Sequence, residues 1–313
     1  MDYYHLLKKQ QHSFEVIIPF IRFSSELINE LTRNDIKIIY NDEKIFLIEP
    51  TDKNIIWAQD HWKNCLISEA HTELINQLKN LPFIGYYHQT HKNKFIENKF
   101  SKLKTIPEKR IKFDLSKKFN FKFYIWTILN DFVIYSLNPK ARYPAGWNEF
   151  EEDKSNPPNR AYLKLWEAMT VHDLKIGANS IAVEIGASPG GWSWVLGLIC
   201  KEVYTFDRAP LADKIAIQKN IHHTIGDAFK ILPQNFKHAD WFFSDLICTP
   251  DKIYEVIQSW LDVSPEKNFM CTIKFKGKCD FEIIDKLLKI PHSKVVRLYH
   301  NKNEVTWIRQ VPT

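Results

Sequence analysis

The sequence predicts two domains: a mostly parallel α/β sheet in the second half, preceded by a smaller α+β domain. Three observations carry this. From Ile181 onward, short β-branched and aromatic runs alternate with amphipathic stretches, the pattern of strands covered by crossover helices. The chain has only 9 glycines in 313 residues, yet Gly186, Gly190 and Gly191 fall in one turn, "GASPGG", directly after the first of those runs. Such clustering suits a backbone that needs positive φ or a ligand pressed against it. Asp207 and Asp245 close later runs, "VYTFD" and "WFFSD". The carboxyl ends of parallel strands are where such sheets bind ligands.

The elements follow in order. In the first part "FEVIIPFI", "IKIIY" and "KIFLIEP" read as strands, with helical periods at 24–32 and 68–79. This is the small α+β domain, over 1–118. Its last stretch, 92–118, is rich in lysine with phenylalanines between. Two readings stand: a cationic strip with stacking aromatics for RNA, or a linker or amphipathic helix whose phenylalanines face a core. Residues 119–145 read as a hairpin turning at Asn130–Asp131, then a connecting loop rich in proline and charge. The second domain spans 146–313. It opens with a helix over 161–172, where Leu163, Trp166, Ala168 and Met169 share a face and Lys164 lies between them. Strands follow at 181–185, 202–206, 240–244 and 268–275, with helices at 191–200, 251–261 and 281–289. Strands at 294–299 and 304–309 close the chain and add an antiparallel strand.

Composition excludes several classes. Hydrophobic residues are 44% and charged residues 26%, as in ordinary globular proteins. No stretch approaches the roughly 20 apolar residues of a membrane span, and the N-terminus lacks the apolar core of a signal peptide. Five scattered cysteines without a CxxC point to reduced thiols and a cytoplasmic protein. A net charge of +6 permits a polyanionic partner without demanding one.

The glycine turn is not a dinucleotide fingerprint, because Ser188–Pro189 replace the middle glycine of GxGxxG, and no Gly-Lys-Ser/Thr makes it a P-loop. Asp207 can accept hydrogen bonds from ribose hydroxyls. Asp227, in "IGDAF", falls where an adenine-facing loop would lie. Together these fit a nucleoside without phosphates, with S-adenosylmethionine (SAM) as the candidate; a tight βα turn with surface acids is the plainer alternative. The candidate cofactor residues are Gly186, Ser188, Pro189, Gly190, Gly191, Trp192, Asp207, Asp227 and Asp245. Trp192 suits helix packing as well as ligand contact. His88, His91, His222 and His223 lack a partner cluster for zinc, so no metal is expected.

"EIGASPGGWSW" resembles the SAM-binding motif of the FtsJ-like ribose 2′-O-methyltransferases. The likeness extends from about 140 to 310 through "NRAYLKLWEA", "FDRAPLA", "GDAFKILP", "DWFFSDLICTPDKI", "CTIKFKGK" and "LYHNKNEVTW". It implies a Rossmann-like class I SAM-dependent methyltransferase domain and a Lys-Asp-Lys-Glu tetrad at Lys164, Asp245, Lys274 and Glu304. The implied substrate is RNA, in particular large-subunit (23S) rRNA, with the front domain adding RNA contacts. An mRNA cap or tRNA substrate, or a SAM- and RNA-binding assembly factor without turnover, are the alternatives. A ribose hydroxyl must lose its proton as it attacks a sulfonium methyl, so a base with a pKa near ambient pH is needed. Lysine reaches that range through a second ammonium and desolvation. Lys274 is the expected base, Asp245 its orienter, and Lys164 and Glu304 tune and position. Three departures stand out: the added Lys276 and Lys278, Ala161 where the family has a hydroxyl residue, and Ser188 where it has Cys or Ala.

Overall fold

The computed structural model describes residues 14–107, 109–114 and 122–312. The chain divides into two compact units: Met1–Arg110 with Lys117–Asn148, and Ile111–Ser116 with Glu149–Thr313.

The first unit is built on an eight-stranded sheet. Its strands are β1 (Phe14–Pro19), β2 (Ile38–Asn41), β3 (Phe46–Ile48), β4 (Ala58–Ser68), β5 (Gly85–Tyr87), β6 (Tyr124–Leu129), β7 (Phe132–Ser136) and β8 (Asn138–Pro139). They lie in the order β2-β3-β1-β4-β7-β6-β5, with β8 paired to β4. Three helices join them: α1 (Ser24–Arg33), α2 (His71–Lys79) and α3 (Lys94–Phe100). Within 119–145, expected as a hairpin and connecting loop, β6 and β7 form the hairpin and lie between β4 and β5 in this sheet. β7 pairs with β4 and β6 with β5. All six residues of β6 are buried, which a free hairpin could not achieve. Asn130 takes the turn at φ 56°. The long central strand β4 escaped sequence reading, because "AQDHWKNCLIS" breaks its alternation with polar residues.

Within 92–118, α3 has the amphipathic character of the second reading. Ile96 and Phe100 enter the core, while Phe95 stays exposed with the Lys99 ammonium 4.3 Å from its ring centre. Phe113 belongs to the second unit and stacks on Trp166 at 4.2 Å. Residues 108 and 115–118 of that strip lie outside the described residues.

The second unit holds a seven-stranded sheet: β9 (Ile181–Ile185), β10 (Glu202–Asp207), β11 (Ile221–Ile225), β12 (Trp241–Ser244), β13 (Asn268–Lys274), β14 (Ser293–Val296) and β15 (Glu304–Arg309). The order is β11-β10-β9-β12-β13-β15-β14. The first five positions are parallel, and β15 runs antiparallel to both β13 and β14. Helices α4 (Tyr162–Val171), α5 (Gly191–Ile199), α6 (Asp213–Ala216), α7 (Pro250–Val263) and α8 (Phe281–Leu288) complete it. The chain moves outward from β9 to β11, then returns to β12 on the other side of β9. That reversal opens a crevice beyond the ends of β9 and β12. "GASPGG" follows β9 and Asp245 follows β12, so both enter the crevice. β11, "IHHTI", was not foreseen: it is an edge strand with mostly exposed or half-exposed side chains and no apolar alternation to read. No described helix is long and apolar enough to cross a membrane.

Candidate active site

The turn after β9 is shaped by its glycines. Gly186 has φ +73°, and a Cβ there would come within 2.9 Å of Leu246. Its N–H donates to the Phe206 carbonyl at 2.9 Å, tying the turn to β10. Gly190 caps α5 at φ +110° in the left-handed region. Ser188 donates twice, from N–H to Asp207 Oδ2 at 3.1 Å and from Oγ to the Pro210 carbonyl at 2.8 Å. Asp207 Oδ1 also accepts the Ala209 N–H at 3.0 Å. The Pro189 carbonyl accepts the Ala212 N–H at 3.0 Å.

Two cavities open on this turn. One, of about 740 Å³, is lined by Gly186, Ser188, Gly191 and Trp192 on one side and by Lys164, Asp245, Lys274 and Glu304 on the other. The second, of about 300 Å³, is lined by Asp207, Asp227 and Phe229. They share Gly186, Ser188, Asp245 and Ile247. Pro189 and Gly190 shape the turn and do not line either cavity. Trp192 is almost fully buried: its indole N–H donates to the Ala161 carbonyl at 2.9 Å, and its ring meets Phe243 edge-on. It therefore packs α5 and also walls the cavity. Asp227 accepts the Phe229 N–H at 3.1 Å and the Arg208 guanidinium at 3.0 Å, and these hold its carboxyl below the ordinary range.

The four tetrad candidates meet in one cluster, although they come from α4, the end of β12, the end of β13 and the start of β15. Lys164 Nζ donates to both Asp245 oxygens and to Glu304 Oε1, each at 2.9 Å. Lys274 Nζ lies 2.9 Å from Asp245 Oδ1 and donates to the Asp245 carbonyl at 2.8 Å. Glu304 Oε2 is farther from it, at 3.8 Å. Burial alone would depress the Lys164 pKa, but Asp245 and Glu304 outweigh it and raise it. Burial alone would raise Asp245, but the two ammonium groups outweigh it and hold its carboxyl low. Lys164 is therefore a locked cation, with all three N–H bonds in use.

Sequence reading missed the residues that support this cluster. Thr272 Oγ1 donates to Asp245 Oδ1 at 2.8 Å, and Asn301 Nδ2 to Glu304 Oε1 at 3.1 Å. Glu184, on β9, borders the cavity and is buried. Burial pushes its carboxyl from 4.5 up to about 8, against the pull of Ser193, whose Oγ donates to it at 2.6 Å. A charged residue inside an apolar run was the available signal. Lys276 and Lys278 are exposed and line neither cavity. Ala161 contributes its carbonyl, not a side chain, to the Trp192 contact. Among the described residues no three His, Cys, Asp or Glu side chains gather as a metal site.

Residues 157–305 match the family model described as FtsJ-like methyltransferase. The chain is similar to Ribosomal RNA large subunit methyltransferase M of Azoarcus sp. (strain BH72), 29% identical over 168 residues, or 49% of this chain and 46% of that protein. It is also similar to the protein of the same name from Actinobacillus succinogenes, 30% identical over 167 residues, or 48% of this chain and 46% of that one. The chain thus spans about half the length of these curated relatives. Among solved structures, the Methanococcus jannaschii fibrillarin pre-rRNA processing protein aligns at TM-score 0.37 and 21% identity, over 62% of this chain and 84% of that one.

Proposed function

We propose, from the premise that residues 157–305 form an FtsJ-like methyltransferase domain, that this chain is a SAM-dependent ribose 2′-O-methyltransferase acting on large-subunit ribosomal RNA. The observation that carries the reading is the assembled Lys164–Asp245–Lys274–Glu304 cluster beside the glycine turn. The relatives named as large-subunit rRNA methyltransferases supply the RNA class. A ribosomal substrate makes it a cytoplasmic enzyme.

The residues fit the cofactor. Gly186 leaves room beside Leu246 that a Cβ would fill. The Asp207 carboxylate, held by two backbone amides, faces the adjoining cavity with acceptor capacity left for ribose hydroxyls. Asp227 and Phe229 line its far end, for the adenine. When bound, SAM supplies an electrophilic sulfonium methyl.

The chain's own residues then handle the proton. A neutral lysine amine has two N–H groups and one lone pair. Lys274 can donate those two to the Asp245 carbonyl and to Asp245 Oδ1, leaving the lone pair for the 2′-hydroxyl. Lys164 cannot take this role, because three acceptors hold its three protons. It stays a fixed cation on the carboxylate it shares with Lys274. Lys274 Nζ would take the 2′-hydroxyl proton as that oxygen becomes the nucleophile. Holding the acceptor ribose in the cavity beside Lys274 would supply much of the acceleration.

The test is methyl transfer from labelled SAM to unmodified large-subunit rRNA, by the parent and by Lys274→Ala, followed by digestion and nucleoside identification. A 2′-O-methyl nucleoside from the parent alone supports the reaction and the base. Transfer by both proteins removes the lysine mechanism. SAM binding without transfer turns the reading to an assembly factor or to another RNA.

A further inference from the structure

The loop between β14 and β15 is held by more buried polar chemistry than a surface connection needs. Glu167, on α4, is fully buried. Its Oε1 accepts the Tyr299 N–H at 2.8 Å and its Oε2 the His300 N–H at 3.3 Å. Asn301 is also buried; its Oδ1 accepts the Leu298 N–H at 2.6 Å and its Nδ2 donates to Glu304 Oε1 at 3.1 Å. Buried Arg297 donates to the carbonyls of Leu298, Asn301 and Lys302. Burying a carboxylate is costly, so a site that keeps one must use its hydrogen bonds. The held segment delivers Tyr299, His300 and Lys302 to the 740 Å³ cavity and ends at Glu304. Lys164 and Glu167 stand three residues apart on α4, hence on one face. That single face grips Glu304 through Lys164 and the segment before it through Glu167.

We propose that Glu167 is a positioning residue, which holds residues 297–303 as the cavity wall for the acceptor ribonucleotide and so sets Glu304 within the tetrad. This rests on the methyltransferase reading and deepens it. Among the described residues, Gly186, Ser188 and Asp207, proposed above to hold SAM, share no hydrogen bond with this loop. Loss of Glu167 should therefore act on the acceptor and spare the cofactor.

The test compares the full chain with Glu167→Ala, Glu167→Gln and, as a stability control, Ile257→Ala in the buried face of α7. SAM affinity is read by calorimetry, methyl transfer by kcat and KM for RNA, and loop order by hydrogen exchange at the Tyr299 and His300 amides. In Glu167→Ala the two amides should exchange faster, SAM affinity should stay at the parent value, and kcat should fall by on the order of 10²-fold, the effect of an ångström-scale misplacement. Glu167→Gln keeps one acceptor and should fall between. Ile257→Ala should lower melting temperature and leave kcat and the two amides unchanged. Unchanged exchange in Glu167→Ala overturns the proposal. So does a kcat loss that Ile257→Ala reproduces at equal destabilisation, or a SAM affinity that falls in step with kcat. If the parent transfers no methyl to RNA, the functional reading fails separately, and the exchange data still decide whether Glu167 holds the loop.

Discussion

Lys164 and Lys274 share the Asp245 carboxylate closely and differ in burial and in how tightly Glu304 holds them. The Lys164 side chain is 10% exposed with three acceptors, and Lys274 is 22% exposed with two near ones. Lys164→Ala should leave Glu304 and Asp245 with Lys274 as their remaining cation, 3.8 and 2.9 Å away, and cost up to about 3–5 kcal/mol, the range for breaking a buried ion pair. Urea denaturation measures it. Lys274→Ala should cost clearly less stability and remove methyl transfer, so the two variants should rank oppositely in stability and mechanism. Glu184 gives a pH signature. Burial holds its carboxyl at about 8 in the folded protein, above the ordinary 4.5. The stability it contributes is complete below 4.5 and is lost as pH rises towards and through about 8. Glu184→Gln removes that loss, so its stability relative to the parent should climb between pH 5 and 8 in ligand-free protein; a constant difference across that range would contradict the raised pKa. At this scale the four tetrad positions were legible through the family resemblance. Their partners Thr272, Asn301 and Glu167 were not, since a hydroxyl, an amide or an acid in a short motif does not announce what it touches.

The turn between β9 and α5 is the element on which the cofactor reading depends. A Cβ at Gly191 would overlap Asn159 Oδ1, which accepts the Ala161 N–H at the start of α4. Gly191→Ala should therefore disturb both the turn and α4, and weaken SAM binding measured by equilibrium dialysis. Gly277→Ala, where nothing lies within 4 Å of the added carbon, should leave SAM binding intact. Equal affinities for the two variants would sink the account of the turn. Most elements of this unit were readable because each carries its own period or cap: β9 and β15 fall where the apolar runs end, and α7 begins at Pro250. β4 and β11 were hidden because their faces are set by neighbouring strands and not by local alternation.

For the whole molecule, the +6 net charge and the RNA reading make a joint prediction. Affinity for large-subunit rRNA should fall linearly in log–log form with salt, since neutralised phosphates release counterions. A filter-binding series at increasing potassium chloride measures the slope, and salt-independent binding would argue against a phosphate-tracking surface. SAM affinity should be nearly flat over the same series, because SAM carries no phosphate and its binding releases no condensed counterions. The sequence by itself determined most of the strand and helix alternation of the second half and the glycine turn, because these depend on local period and on residue type, and the four charges were picked out by the motifs that resemble a known family. Only the tertiary structure decided that the β6–β7 hairpin joins the first sheet, that β15 inserts between β13 and β14, and that Lys164 meets Asp245 and Glu304 across 81 and 140 residues of chain. Strand order and buried charge pairing are settled by which surfaces can be removed from water together, a property of the folded chain that no local window contains.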